Sequence, residues 1–181
     1  VTPSNVFLSA LCTTLNRYTR EEQIALTTIS SGRNENKLHG IMGMFVKTLP
    51  IVIHIQPSEK VVDFVKLVQE NMFETMEHEI YPFTKMVEKH NCVPQITYAY
   101  QGGMLEGFEL EGQSVEIESL PLQKVKFPLT ISVSPKNDGY EISLEYDDSL
   151  YTEDYIRTLS LAVTQCAIHM VGNPEQSCKN I

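Results

Sequence analysis

Apolar spacing along this chain switches repeatedly between a helical three-and-four pattern and short β-branched runs. A chain that alternates in this way buries its apolar surface only as a layered mixture of helices and strands. Val6/Phe7, Ala10/Leu11, Thr14/Leu15 and Tyr18 predict an amphipathic helix with its N-cap on Ser4, after Pro3, and its end near Arg20. Ile24–Ser30 is short, apolar and rich in β-formers, hence a buried strand, and the polar, Gly-bearing Ser31–Asn36 is a loop. Leu49–Ile55 reads as a second strand, covered on both faces. Val61, Val65, Val68, Met72 and Met76 share one face of a helix over Lys60–Glu79. Pro82 breaks that helix and stands in the first turn of a shorter one over Phe83–Lys89.

Gln95–Tyr100 is a strand by composition, residues 102–112 form an extended loop, and Val115–Glu118 alternates as a half-exposed strand does. Leu129–Ser134 and Tyr140–Tyr146 are strands joined through Pro135–Gly139, whose Asn-Asp-Gly end suits a hairpin. Thr152, with Glu153 and Asp154, opens a last helix. Its apolar stripe is Ile156, Leu159, Val163, Cys166/Ala167 and Met170, and Gly172 with Pro174 closes it. The expected fold is a mixed-sheet α/β or α+β sandwich, one lobe over residues 1–181.

A net charge of −9, from 14 basic and 23 acidic residues, denies the chain the positive field that holds phosphate backbones. No apolar run approaches the ~20 residues of a membrane helix. The start, Val1-Thr2-Pro3, carries no initiator Met, basic patch or apolar signal core, and is expected to have been cut from a longer polypeptide. Cys12, Cys92, Cys166 and Cys178 are scattered, with no C-x-x-C pair, and are expected to be ordinary reduced thiols of a cytoplasmic protein.

Chemistry that would stand alone is hard to find. The sequence has no G-x-S-x-G elbow, no Gly-rich phosphate loop and no H-E-x-x-H pair. His39, His54, His78, His90 and His169 lack a positioned orienting partner, so structural or solvated roles are expected. Glu77 and Glu79 flank His78 but point to different sides of a helix, a poor metal face. Asp147-Asp148 lies between a strand and a helix and reads as turn and cap. Arg33, after Ser31-Gly32 at a strand end, is placed where a phosphate or carboxylate could be gripped, although a lone loop Arg is ordinarily solvated.

As motifs, several segments resemble the C-terminal lobe of condensation domains from nonribosomal peptide synthetases. Val1–Ala10 followed by Asn16-Arg17-Tyr18-Thr19 resembles the family's central helix, and Ser31-Gly32-Arg33 its G-R strand end. Met42–Pro50 resembles I-G-x-F-V-N-T-L, and His78-Glu79-Ile80-Tyr81-Pro82-Phe83 resembles H-Q-D-Y-P-F-E. Gln95–Gln101 is similar to a strand ending in N-Y-Q, Lys126–Thr130 to K-F-D-L-T, Leu144–Tyr151 to L-x-Y-x-x-x-L-F, and Asn173-Pro174-Glu175 to the N-P-E terminus. The series runs the whole length in order. Lys47 stands in place of Asn, Pro128 in place of Asp, and Val52 near where an Arg often follows. The Arg- and Ser-rich motif expected around residues 88–94 is missing. These departures leave the fold alone and admit a condensing, epimerising, starter or inactive parent.

The resemblance implies a chloramphenicol-acetyltransferase-like fold of two lobes in a V, with a tunnel between them for two carrier-protein arms. The base-bearing H-H-x-x-x-D-G motif belongs to the other lobe, and this sequence has no adjacent His pair. No catalytic residue, metal ligand or cofactor is therefore assigned to this chain; phosphopantetheine arms belong to partner carrier domains. Gly32, Arg33, Gly43 and Phe45 are expected in the tunnel wall. Pro82 and Phe83, with Phe45, are expected to pack inward as structural residues. Ser31–Gly43 and Gly102–Lys126 are the expected crossings to the N-terminal lobe, and the second of them is expected to mediate weak self-association of a free lobe. The alternatives are a small carrier-binding module and a divergent stand-alone acyltransferase.

Overall fold

The computed structural model describes residues 1–91, 93–101, 109–114, 124–136 and 138–181. Cys92, Asn137, the predicted strand Val115–Glu118 and most of the predicted crossing Gly102–Lys126 lie outside them. The helices are α1 (Pro3–Thr19), α2 (Val61–Glu77), α3 (Phe83–His90) and α4 (Glu153–Gly172), with 3-10 turns at Asn36–Leu38 and Cys178–Asn180. The strands are β1 (Gln23–Ser30), β2 (Lys47–His54), β3 (Ile96–Tyr100), β4 (Glu109–Leu110), β5 (Gln113–Ser114), β6 (Leu129–Lys136) and β7 (Gly139–Tyr146). Five strands form one sheet in the order β2-β1-β3-β6-β7, and β4 pairs with β5 alone. β1, β3 and β6 run parallel, while β2 and β7 are antiparallel edges. This is the mixed-sheet α/β sandwich that the sequence predicts.

The alternation of each strand decides which side it buries. Leu26, Ile51, Ile53, Tyr98, Leu129, Ile131 and Val133 join Leu8, Leu11, Phe64, Val68 and Leu159 in one hydrophobic cluster between sheet and helices. On the other side of the pleat, the fully buried Thr27 and Thr97 place their hydroxyls 2.7 Å apart. In α2, Phe64 joins Val61, Val65, Val68 and Met72 as buried residues, but Met76 near the helix end is 38% exposed. The hairpin is longer than predicted, because Pro135 and Lys136 continue β6 and pair with Tyr140 and Gly139.

The first helix differs from its predicted amphipathic form. Leu8 to Leu15 are all buried, since α1 packs against both α2 and α4. Its polar side chains are accommodated along the helix. Ser9 donates to the Asn5 carbonyl at 2.7 Å, Thr14 to the Ala10 carbonyl at 2.8 Å, and the Asn5 amide to Gln69 Oε1 at 3.3 Å. The predicted N-cap Ser4 is also corrected: the cap is Thr2, without a side-chain bond, because Pro3 supplies a fixed helical φ in the first turn. Ser4 instead offers its carbonyl to the buried Tyr98 hydroxyl at 2.8 Å.

Thr152 caps α4 as predicted, accepting from the Tyr155 amide at 3.3 Å. The segment after α4 has a use that its composition does not reveal. The first amides of α2, on Val61 and Val62, donate to the carbonyls of Gln176 and Pro174 at 2.9 Å each, and Cys178 N–H returns to the Glu59 carbonyl at 2.9 Å. The residues around Asn173-Pro174-Glu175 therefore cap α2, whose own cap residue Lys60 provides no side-chain bond.

Candidate functional site

Three segments far apart in the sequence meet where β1 ends and β2 begins. β1 closes on Ser30, and Gly32 follows in the left-handed region at φ +65°. A Cβ at Gly32 would lie 2.0 Å from the Phe45 carbonyl oxygen, so only glycine lets the two ends of the loop approach. The glycine of the S-G-R segment is thereby tied to the phenylalanine of the G-M-F-V segment by backbone contact.

Arg33 is not the solvated loop residue that its isolation suggests. Its guanidinium donates to the carbonyls of Leu38, of Ile41 at 2.8 Å and of Gly43 at 2.9 Å, and stands 4.5 Å from the centroid of the Phe45 ring. His39 Nε2 lies 2.8 Å from the Arg33 carbonyl. The planar fork occupies itself with the chain's own carbonyls and gathers residues 33–45 into one ordered turn. Gly32, Arg33, Gly43 and Phe45, four residues singled out from the sequence, are thus brought together.

A second set was missed. α2 ends at Glu77, two residues before the predicted end, so Glu79 leaves the helix and reaches the sheet. Its Oε2 accepts from Ser30 Oγ at 2.6 Å and its Oε1 from Lys47 Nζ at 3.1 Å. Ser30 Oγ in turn accepts the Gly32 amide at 3.1 Å. The Glu79 side chain is only 10% exposed and that of Lys47 36%. The Ser30 hydroxyl, with Lys47 and Asn34, holds the Glu79 carboxyl below the usual carboxylate range. The sequence signal that could have found this set is opposite charge at two positions where the resembled motifs carry neutral amides.

Pro82 and Phe83 require correction. Pro82 is exposed and is the N-cap of α3, which begins at Phe83 as predicted, and Phe83 is only half-buried; α3 has no fully buried residue among those described. Phe45 is half-buried as well. The reason is the position of α3 and the loop at one end of the sheet, outside the hydrophobic cluster. Nearby loop residues stand in water: Met42 is 99% exposed, Met44 85% and Ile80 85%.

The histidines and acids show no assembled centre among the described residues, where no group of three or more His, Cys, Asp or Glu is placed to hold a metal ion. His78 Nδ1 pairs at 2.9 Å with the Glu74 carbonyl at the end of α2. Asp147 Oδ1 accepts from the Ser149 amide at 2.9 Å and the Ser149 hydroxyl at 2.6 Å, the turn role that the sequence predicts. Burial pushes the Cys12 and Cys166 thiols up, and that of Cys178 to about 11, so these sulfurs favour the unreactive thiol form. No helix among the described residues is long and apolar enough to cross a membrane.

The order of these convergent segments agrees with known proteins. The family model described as "Condensation domain" matches residues 1–181. The chain belongs to the condensation-domain family. Among curated relatives of this condensation domain, bacitracin synthase 1 of Bacillus licheniformis is 29% identical over 168 residues, covering 88% of this chain and 3% of that protein. Surfactin synthase subunit 1 of Bacillus subtilis (strain 168) is 29% identical over 180 residues, covering 94% of this chain and 5% of that protein. The chain therefore spans a small part of the relatives it matches. Among solved structures, the four-domain nonribosomal peptide synthetase holo-AB3403, bound to AMP and glycine, superposes with a TM-score of 0.86 at 20% identity, over 100% of this chain and 16% of the other. The starter condensation domain of rhizomide synthetase RzmA gives 0.80 at 16% identity, over 98% of this chain and 43% of the other. The fold is that of condensation domains, the chloramphenicol-acetyltransferase-like fold expected from the sequence.

Proposed function

We propose that this chain is the C-terminal lobe of a nonribosomal peptide synthetase condensation domain, and that it supplies one wall of the tunnel in which an amide bond forms. The observation that carries this reading is the convergence of the S-G-R, G-M-F-V-K and H-E-I-Y-P-F segments on one corner of the sheet, in a chain that the condensation-domain family matches end to end. In the parent reaction, the amine of one carrier-bound thioester attacks the acyl carbonyl of another. The C–N bond forms, the C–S bond breaks, and the released carrier thiol takes up the proton lost by the amine. A His of the N-terminal lobe would position or deprotonate that amine. This lobe contributes alignment, with Gly32, Arg33, Gly43 and Phe45 fixing the wall.

The partners of this reading are the N-terminal lobe, facing the exposed Ile41–Val46 loop, and two carrier domains whose phosphopantetheine arms bring the substrates. The setting is cytoplasmic. The test mixes donor- and acceptor-loaded carrier domains with this chain alone and with this chain joined to the N-terminal lobe of its own reading frame, and follows the product by mass spectrometry. Amide formation only with both lobes is expected. Amide formation by this chain alone at the two-lobe rate would overturn the reading.

A further inference from the structure

The pair Lys47–Glu79 joins two positions at which the motifs resembled by this chain both carry a neutral amide, Asn in I-G-x-F-V-N-T-L and Gln in H-Q-D-Y-P-F-E. In this chain both are charged, with opposite sign, and their side chains meet at 3.1 Å. Either change by itself would place an unpaired charge at a corner where Glu79 is 90% removed from water, a costly arrangement; together they satisfy each other. We infer that Lys47 and Glu79 are a matched pair of positioning residues, an ionic substitute for an amide pair, which locks the turn after α2 onto the start of β2 and, through Ser30, fixes the backbone of Gly32.

Three features support a positioning role over an incidental surface contact. Glu79 is reached from two separate segments: Ser30 at the end of β1 and Lys47 at the start of β2. Lys47 is the single charged group among these partners. The chain of bonds from Lys47 through Glu79 and Ser30 ends on the Gly32 amide, where the Phe45 backbone leaves no room for a side chain. Among the described residues the other ion pairs, such as Lys60–Glu175 and Arg157–Glu153, have both side chains more than half exposed, so neither is under the same obligation. The inference holds whether or not this corner forms a tunnel wall.

The Glu79 carboxyl is held below its unfolded value, so the stability it contributes is present above the ordinary glutamate pKa and is lost as pH falls through the depressed folded value. The natural full-length chain and its Lys47→Asn, Glu79→Gln, Lys47→Asn/Glu79→Gln and Lys47→Arg variants would be compared by thermal melting at neutral pH and near pH 4. Hydrogen exchange would be followed at Gly32. Lys47→Asn is expected to lower the midpoint by about 2–5 °C and to speed Gly32 exchange; Glu79→Gln should do so less, since Gln still accepts from Ser30. The double variant should recover more than half of the Lys47→Asn loss and show a smaller drop on acidification than wild type, and Lys47→Arg should stay near wild type. Should Lys47→Asn not fold, a folded double variant carries the same conclusion. Losses that simply add in the double variant, or Gly32 exchange unaffected by either single change, overturn the inference.

Discussion

On the helix-covered side of the sheet, Phe64, Leu26, Ile53 and Tyr98 lose almost all contact with water, and shape and apolar area hold them in place. At the β1–β2 corner the materials are reversed. Glu79, Arg33 and Phe45 keep their positions by hydrogen bonds, one ion pair and one cation–π contact, while Met42 and Met44 stand in solvent beside them. The first region is held by buried apolar area, and the second by hydrogen bonds and charge beside side chains left in water. The recognisable family segments Ser31–Arg33, Met42–Pro50 and His78–Phe83 come together at the second region.

If that contrast is right, the two regions should fail differently. Phe64→Ala, deep in the core, should cost about 3–5 kcal/mol, seen as a large fall in the thermal midpoint with the whole transition moved. Gly32→Ala should cost about 1–3 kcal/mol, because a side chain at φ +65° must displace the Phe45 backbone. Its clearest sign would be faster proteolysis within residues 33–46 while the core transition stays cooperative. Phe83→Ala should cost about 1–2 kcal/mol, less than a buried phenylalanine would, since the ring is only half-buried. A loss as large as that of Phe64→Ala would move Phe83 into the core and remove the distinction. The smallest effect belongs to Arg33→Lys, about 1 kcal/mol: charge is retained, but a point donor cannot reach the Leu38, Ile41 and Gly43 carbonyls together. Amide exchange at Leu38–Gly43 should quicken with little change in the melt, and unchanged exchange there would show that the guanidinium fork does not organise the loop.

Which of these residues could be read in advance follows from the range of the forces. Ile24–Ser30, Ile156–Met170 and Thr152 announce themselves through local periodicity and capping, which depend on neighbours within a few residues. Gly32 and Phe45 were visible as members of motifs, but nothing in the sequence states that one must touch the other. Arg33 was underestimated because its acceptors are carbonyls, and every residue has one. Glu79 reads as the last residue of a helix, because a periodic pattern does not register the turn after Glu77. Phe83 was placed inside on hydrophobicity alone, which cannot tell a side chain at the core from one at the end of a sheet.

By itself the sequence determined a chain of alternating helices and strands, a mixed sheet, the family to which the chain belongs, and the lack of an adjacent His pair, because each follows from local pattern or from ordered motifs. Only the tertiary structure decided that α1 is buried along its middle turns, that the segment after α4 caps α2, and that Ser30, Gly32, Lys47 and Glu79 form one connected set. Those outcomes depend on contacts between residues tens to more than a hundred positions apart. Charge and hydrogen-bond partners at that range are chosen by how the sheet stacks its strands and where each helix stops.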